Sequence, residues 1–248
     1  MKRKIAISLD KSLLELVDSR VDGSVIRSRS QAIEYFLNRG LKEHSIDTAI
    51  LLLKGGHQST SLKNLKGKSL IKNQIDFFYT NGIKNLFIVT QHTKNINALL
   101  YEISDSPINI KIFEKEVKGN AEALFAIKES LKNSFIVMSG DTYNNFDLQN
   151  MIKKHLQLNL IASMGLMSRP QPSGYGNAVL DGDLIVDFVE KPKDAKSNVV
   201  NAGVYAFKPE VFHLFANVVS LEKDLFPKLA KIKQLAGYFT HGEYRHMI

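Results

Sequence analysis

The stretch Ala49-Ile50-Leu51-Leu52-Leu53-Lys54-Gly55-Gly56 joins a short apolar run to a pair of glycines. An apolar run of this length that ends in a turn signal is typical of a strand buried on both faces of a sheet. Glycine lets backbone N–H groups approach a bound phosphate closely, because it has no Cβ. We therefore predict a buried strand whose carboxyl end meets a ligand.

The same pattern repeats along the rest of the chain. Apolar runs at 86–89, 108–113 and 134–138 alternate with helical patterns at 69–80, 97–103 and 121–131. This alternation predicts βαβ units, and hence a parallel sheet with helices on both faces. Residues 160–207 are rich in strand patterns and turn signals, which indicates an antiparallel part. The fold class predicted for residues 47–248 is α/β, with a mixed, mostly parallel, Rossmann-like sheet.

The first forty-odd residues have a different pattern. Residues 4–10 alternate between apolar and polar side chains, which predicts a half-buried strand. Asp10 is placed to cap a helix from Lys11 to about Val21, and the spacing of Ser28 and Gln31 predicts the start of a second helix. The sequence thus predicts a small β-α-α domain over residues 1–44, with a short linker before residue 47.

A domain this small buries its apolar faces only with help, and the chain has no cysteine. We therefore expect a homodimer or a dimer of dimers. The residues resemble the ribbon-helix-helix repressors, in the ribbon Lys2-Arg3-Lys4-Ile5-Ala6-Ile7-Ser8-Leu9-Asp10 and in the helix start Ser28-Arg29-Ser30-Gln31-Ala32-Ile33. The resemblance implies a ribbon in the major groove of DNA and a phosphate at the second helix. The DNA-binding residues it implies are Lys2, Lys4, Ala6, Ser8, Ser28, Arg29 and Ser30. The alternative is a domain that only dimerises.

The larger part resembles the sugar-1-phosphate nucleotidyltransferases. The motifs that carry this resemblance are Gly55-Gly56, Gln91, Gly119-Asn120-Ala121, Gly140-Asp141, Tyr175-Gly176, Glu190-Lys191-Pro192, Asn201-Ala202-Gly203 and the stretch Glu222-Lys223-Asp224-Leu225-Phe226-Pro227-Lys228-Leu229. The resemblance implies contacts of Gly55 and Gly56 with a nucleotide, and of Gln91 and the Gly119-Asn120 pair near its base. It implies sugar contacts for Gly176, Glu190 and Asn201, a sugar-phosphate contact for Lys191, and Mg²⁺ at Asp141.

Departures from the family pattern lie in the nucleotide half. The family's first loop carries an arginine and a lysine for the triphosphate, whereas His57-Gln58-Ser59 passes directly into Thr60-Ser61-Leu62. His246 stands where the family has a second metal aspartate, and Mg²⁺ prefers oxygen ligands over imidazole. His57 is expected to be solvated. The Mg²⁺ site is therefore expected to be weak, and no catalytic residue is assigned.

Composition narrows the function classes. The formal charge of +8 favours an anionic partner such as DNA or a phosphorylated small molecule. No apolar run is long enough to span a bilayer, and the lack of cysteine suits the cytoplasm. The function predicted first is a DNA-binding regulator whose larger domain binds a sugar phosphate or nucleotide sugar as effector, with little or no catalysis. The alternative is an active sugar-1-phosphate nucleotidyltransferase with an N-terminal arm.

Overall fold

Apolar periodicity divides this chain into two units of different character. The computed structural model describes residues 6–23, 26–43 and 45–247. It places the chain in two compact units, Met1–Ser45 and Ile46–Ile248, which we call the small unit and the large unit.

The small unit contains the helices α1 (Lys11–Asp18) and α2 (Arg29–Glu43). The backbone N–H of Gln31 donates to Ser28 Oγ at 3.3 Å, so α2 begins where the capping spacing predicts. Helix α1 ends at Asp18, before the predicted Val21, and Asp10 makes no side-chain cap.

The ribbon strand predicted for residues 4–10 is not found over its described part, residues 6–10. A strand requires a hydrogen-bonding partner, and the described residues of the small unit include no other strand. Lys2 and Lys4 lie outside the described residues.

The large unit contains strands β1–β13 and helices α3–α8. The strands are β1 (Thr48–Leu52), β2 (Asn64–Leu65), β3 (Lys68–Ser69), β4 (Asn85–Thr90), β5 (Asn109–Glu114), β6 (Phe135–Ser139), β7 (Thr142–Asn145), β8 (Ala162–Ser168), β9 (Gly176–Asp181), β10 (Leu184–Glu190), β11 (Val199–Phe207), β12 (Leu235–Phe239) and β13 (Glu243–His246). The helices are α3 (Gln58–Ser61), α4 (Leu70–Thr80), α5 (Ile96–Glu102), α6 (Asn120–Phe125), α7 (Leu148–Leu158) and α8 (Phe226–Lys231). Short 3₁₀ turns and one π-helical turn, Leu221–Leu225, connect them.

Nine strands form one mixed sheet in the order β5-β4-β1-β6-β11-β8-β12-β10-β9. Strand β1 pairs parallel with both β4 and β6, and β4 pairs parallel with β5. Strand β11 runs antiparallel to β6 and β8, and β9 and β10 form an antiparallel pair at the edge. The predicted parallel part followed by an antiparallel part is confirmed.

Two apolar clusters cover the two faces of this sheet. Ala49, Leu51 and Leu53 join one cluster, whereas Ile50 joins the other. Successive side chains of a strand point to opposite faces, so β1 needs apolar residues at every position. This explains why its sequence is a continuous apolar run, and it holds the following loop at a fixed point above the sheet.

Candidate functional site

Two neighbouring clefts open at the carboxyl ends of the parallel strands. The first, of about 320 Å³, is lined by Lys54, Lys115 and Lys118, and we call it the lysine cleft. The second, of about 310 Å³, is lined by Tyr175, Tyr205 and Tyr244, and we call it the tyrosine cleft. Both are lined by Ser139, Asp141 and Glu222, so the two clefts meet at these residues.

The loop after β1 forms a short 3₁₀ turn from Gly55 to His57 at the mouth of the lysine cleft. The Gly55 N–H donates to Gln91 Oε1, and a Cβ on Gly55 would lie 2.9 Å from Thr93 Cγ2. Gly56 is exposed, and a Cβ there would meet nothing within 4 Å. Close packing therefore explains Gly55, whereas no contact of the protein explains Gly56.

Gln58 fixes this loop to the next strand, a role the sequence did not reveal. Its buried Nε2 donates to Thr90 Oγ1 at 2.9 Å and to the Gln91 carbonyl at 2.8 Å, and its Oε1 accepts from Thr93. A buried amide that is satisfied on both ends makes a rigid link. The shortened loop is therefore held at the end of β4.

The lysine cleft contains cations that the first loop lacks. Lys115 and Lys118 follow β5, and with Lys54 they line the cleft. None of the three forms an ion pair with another side chain of the described chain. Phosphate-rich ligands are held by such ammonium groups. The lysine cleft therefore carries positive charge even though the first loop lacks the family's arginine and lysine.

Gly119 and Asn120 close the far side of the lysine cleft. A Cβ on Gly119 would lie 2.1 Å from the carbonyl oxygen of Val219, so this position requires glycine for backbone packing. Asn120 Nδ2 donates to both carboxylate oxygens of Glu222, at 3.0 and 2.9 Å. Its Oδ1 accepts the N–H of Leu221 at 2.9 Å.

Asp141 lies in the turn between β6 and β7, where the two clefts meet. Its Oδ2 is 3.4 Å from His57 Nδ1 and 3.6 Å from His246 Nε2. The expectation that His57 is solvated is wrong, because the 3₁₀ turn directs it to Asp141 and leaves it half-buried.

The surroundings of Asp141 fit Mg²⁺ poorly. Mg²⁺ takes oxygen ligands in octahedral geometry, whereas the two side chains paired with the Asp141 carboxylate are imidazoles. In the described residues, no three histidine, aspartate or glutamate side chains are placed to hold a metal ion.

In the tyrosine cleft, Gly176, Glu190 and Lys191 lie together. A Cβ on Gly176 would lie 2.4 Å from Phe188 Cζ and 2.8 Å from Glu190 Oε2, so a side chain there would displace the carboxylate. Lys191 has a positive φ of 46° and donates its N–H to the Tyr175 carbonyl at 3.1 Å. Its side chain is exposed at the mouth of the cleft.

Asn201 belongs to a buried polar network in the same cleft. Its Nδ2 donates to the Tyr205 hydroxyl at 2.8 Å, and that hydroxyl donates to Glu222 Oε1 at 3.4 Å. Its Oδ1 accepts the N–H of Gly203, which has a φ of 68°. Burial raises the pKa of Glu190, and the neighbouring Glu222 adds to the effect. Burial likewise raises the pKa of Tyr205 far above its ordinary value.

The structure thus gathers Gln91, Gly119, Asn120, Asp141, Gly176, Glu190, Lys191 and Asn201 around the paired clefts, with Gly55 and Gly56 on the adjoining turn. Sequence reasoning missed Gln58, Lys115, Lys118, Tyr205 and Glu222. Each lies in an element whose local pattern gives no sign of a ligand. The segment Glu222–Leu229 was one of the stretches that resembled the family, and this was the available signal for Glu222.

In the small unit, five of the DNA-binding residues expected from the sequence are described by the structure, and all five are exposed: Ala6, Ser8, Ser28, Arg29 and Ser30. Arg29 forms a bidentate ion pair with Asp18, with Nε–Oδ1 and Nη2–Oδ2 distances of 2.7 and 2.6 Å. This contact lowers the pKa of Asp18 and ties the end of α1 to the start of α2. The Arg29 guanidinium thus contacts a carboxylate within the small unit.

Comparison with known families identifies the larger part. The model of the nucleotidyl transferase family matches residues 58–243, three quarters of the chain, and the chain belongs to this family. The matched segment does not include the small unit, and a ribbon-helix-helix domain is not shown.

The relatives include enzymes of sugar activation. The chain is 29% identical over 184 residues to the mannose-1-phosphate guanylyltransferase catalytic subunit beta of Danio rerio, covering 71% of this chain and 51% of that protein. It is 27% identical over 191 residues to mannose-1-phosphate guanylyltransferase 1 of Arabidopsis thaliana, covering 73% and 53%. The chain thus spans about half the length of these relatives.

Solved structures confirm the predicted α/β fold. A Bacillus anthracis protein assigned as a glucose-1-phosphate thymidylyltransferase aligns with a TM-score of 0.71 at 18% identity, covering 82% of this chain and 89% of that one. UDP-glucose pyrophosphorylase complexed with UDP-glucose aligns with a TM-score of 0.66 at 19% identity, covering 82% and 94%. Over residues 6–23, 26–43 and 45–247, no helix is both long and apolar enough to cross a membrane.

Proposed function

We propose that the large unit binds a nucleoside triphosphate in the lysine cleft and a sugar 1-phosphate in the tyrosine cleft, and transfers the nucleotidyl group between them. One observation carries this proposal: the two clefts share Ser139, Asp141 and Glu222. Ligands that fill both clefts would therefore meet beside Asp141. The alternative function named from the sequence is thus preferred to a regulator without catalysis.

In the reaction proposed, a phosphate oxygen of the sugar 1-phosphate attacks the α-phosphorus of the triphosphate. The bond from that phosphorus to the bridging oxygen breaks, and pyrophosphate leaves with the electron pair. Catalysis of such transfers depends on positioning and charge stabilisation. Lys54, Lys115 and Lys118 would offset the charge of the triphosphate, and Lys191 that of the sugar phosphate.

The sugar itself would be held by the polar groups of the tyrosine cleft. Glu190 and Asn201 line the tyrosine cleft with hydrogen-bonding atoms beside Gly176, whose lack of a Cβ leaves the Glu190 carboxylate in place. Buried polar groups left unpaired by a wrong sugar cost free energy, so these groups would select hydroxyl positions.

A pyrophosphate-release assay tests this function. Five nucleoside triphosphates would be tried against mannose 1-phosphate and glucose 1-phosphate, with binding measured by calorimetry. We expect turnover below about 1 s⁻¹, because the first loop has no arginine. Asp141→Asn should abolish turnover, whereas the exposed Asp194→Asn should not change it. Binding without any pyrophosphate release would leave the effector-binding regulator as the better function.

For the small unit we propose pairing with the same unit of a second chain, followed by DNA binding through the paired N-terminal segments. Leu13, Leu16, Tyr35, Phe36 and Leu37 are all more than a third exposed. Among the residues of this unit whose burial the structure describes, the only buried apolar side chains are those of Val17 and Ala32. A core this small stabilises a domain poorly, and a second copy would cover the exposed residues.

Leu16→Glu tests the pairing, because it places a charge on the exposed side of α1. Sedimentation should show a dimer that this variant converts to a monomer, and binding to selected DNA should weaken with it. Ser12→Glu, which adds the same charge at an exposed polar position of α1, is the control. If random-sequence selection enriches no DNA motif while the dimer persists, the small unit only dimerises.

A further inference from the structure

We propose that Glu222 is a positioning residue that couples the two clefts, so that a ligand in one changes the affinity of the other. This inference rests on the proposed function, because it requires a ligand in each cleft. Glu222 lies in the π-helical turn Leu221–Leu225 and lines both clefts. π-Helical turns interrupt regular helical geometry and recur at functional sites.

The Glu222 carboxylate accepts hydrogen bonds from three residues. Asn120 Nδ2 reaches both of its oxygens, Ser220 Oγ donates to Oε2 at 3.0 Å, and the Tyr205 hydroxyl donates to Oε1 at 3.4 Å. Asn120 lines the lysine cleft and Tyr205 lines the tyrosine cleft. The carboxylate is therefore the point at which hydrogen bonds from the two clefts converge.

Further hydrogen bonds extend from Asn120 and from Tyr205 into the walls of the two clefts. On one side Asn120 Oδ1 is already occupied by the N–H of Leu221. On the other, the Tyr205 hydroxyl accepts from Asn201, whose Oδ1 is occupied by the N–H of Gly203. Asn201 and Tyr205 are buried. The path Asn120–Glu222–Tyr205–Asn201 thus runs from one cleft to the other.

Most hydrogen-bonding atoms along this path already have a partner. A ligand that bonds to Asn120 must compete for a group that Glu222 holds, and the carboxylate then turns toward or away from Tyr205. In a low-dielectric interior the strengths of linked hydrogen bonds depend on one another. Binding in the lysine cleft would therefore change the orientation of Asn201 in the tyrosine cleft, and the reverse follows by linkage.

Calorimetry measures this coupling directly. The affinity of mannose 1-phosphate would be determined without and with a saturating α,β-methylene analogue of GTP, which is not turned over. We expect the two affinities to differ about fivefold or more in the wild type. Glu222→Gln should bring the ratio within about twofold of unity, because its amide N–H₂ faces the Asn120 donor.

Two further variants separate coupling from simple stability. Asn120→Asp combined with Glu222→Gln exchanges donor and acceptor, so the bond between the two positions is restored and the ratio should return. Asp224→Asn loosens the same turn, since Asp224 Oδ2 accepts the N–H groups of Val219 and Ser220 at 2.9 and 2.8 Å. It should lower the melting temperature and leave the ratio unchanged.

The outcomes distinguish the two proposals. If both probes bind and Glu222→Gln keeps the wild-type ratio, the coupling role is wrong and the proposed function stands. If Asp224→Asn lowers the ratio as much as Glu222→Gln, the effect belongs to the fold of the turn and the coupling role is also wrong. If neither probe binds the wild type, the proposed function fails first.

Discussion

The lysine cleft and the tyrosine cleft meet at Asp141 but are built in opposite ways. The tyrosine cleft is formed by buried groups such as Asn201 and Tyr205, which are held by hydrogen bonds before any ligand arrives. The lysine cleft is lined by long side chains, Lys54, Lys115 and Lys118, that make no ion pair within the described residues. The polar groups of the tyrosine cleft are therefore preorganised, whereas the charged side chains of the lysine cleft are adjustable.

This difference indicates what each cleft contributes. Preorganised polar groups give selectivity, because a wrong ligand leaves them unpaired. Adjustable ammonium groups give attraction to polyanions with little preference among them. We therefore expect sugar choice to be narrow and the choice of nucleotide to be broad.

The largest change in stability is expected when a single methyl group is added at Gly119. Gly119→Ala places a Cβ against the Val219 carbonyl and should lower the free energy of unfolding by about 1–3 kcal/mol, as overpacking does. Gly176→Ala should cost less, because its neighbours are side-chain atoms of Phe188 and Glu190 that are able to shift. Urea titration measures both. Gly56→Ala is the matched control, and equal losses for all three variants would contradict the packing argument.

Removing positive charge from one cleft should weaken binding of the ligand in that cleft only. The double variant Lys115→Ala/Lys118→Ala should weaken nucleoside triphosphate binding about tenfold, or 1.4 kcal/mol, and leave mannose 1-phosphate unaffected. Lys191→Ala should weaken mannose 1-phosphate binding and leave nucleoside triphosphate binding unaffected. Calorimetry at two salt concentrations measures both, and Lys132→Ala, at an exposed position outside the clefts, is the control. The contrast breaks down if both variants weaken both ligands equally.

A carboxylate in place of His246 should strengthen Mg²⁺ binding beside Asp141, where the two clefts meet. In His246→Asp a second set of oxygens would lie near Asp141, and millimolar Mg²⁺ should stabilise the variant by about 1 kcal/mol. The wild type should show a smaller shift. The melting temperature with and without Mg²⁺ gives the comparison, with His241→Asp as the control. An equal response of wild type and variant would show that His246 has no effect on the metal.

The smallest effect concerns Glu190 and pH. Burial raises its pKa above the ordinary 4.5, so the folded state binds this proton more tightly than the unfolded state. Glu190→Gln should therefore gain stability at neutral pH, because the amide carries no charge to bury. The gain should shrink as the pH falls through the raised pKa toward 4.5. Unfolding curves across this range would reveal it, and a difference that is constant with pH would refute the assignment.

Part of the site was predictable because its residues stand in recognisable motifs at the ends of elements. Gly55, Gly119 and Gly176 stand where a Cβ would collide with a neighbour, and Asp141 follows a buried strand at the carboxyl edge of the sheet. The start of α4 is encoded locally, since the side chain of Ser69 accepts the N–H of Lys72 and caps the helix. This cap lies within four residues of sequence, whereas the atoms that crowd the three glycines belong to the distant residues Thr93, Val219 and Phe188.

The predicted ribbon strand shows the opposite case. Its alternating pattern over residues 4–10 is a property of the sequence, but a strand exists only when another strand supplies hydrogen bonds. Similarly, the shortened first loop lacks an arginine, yet the missing charge does not leave the cleft neutral. The local sequence pattern predicts which secondary structure a segment is able to form. It does not predict which side chains other segments bring to the same site.

Sequence patterns alone predict the α/β alternation, the burial of β1 on both faces, the positions of the glycines and the start of α2. The folded chain is needed to bring Lys115 and Lys118 to the lysine cleft, His57 and His246 to Asp141, and Glu222 between Asn120 and Tyr205. These two groups of features differ in the range over which they depend on the chain. Periodicity and capping act over one or two turns of chain, whereas these groupings depend on the order of strands in the sheet, which brings distant loops to one edge.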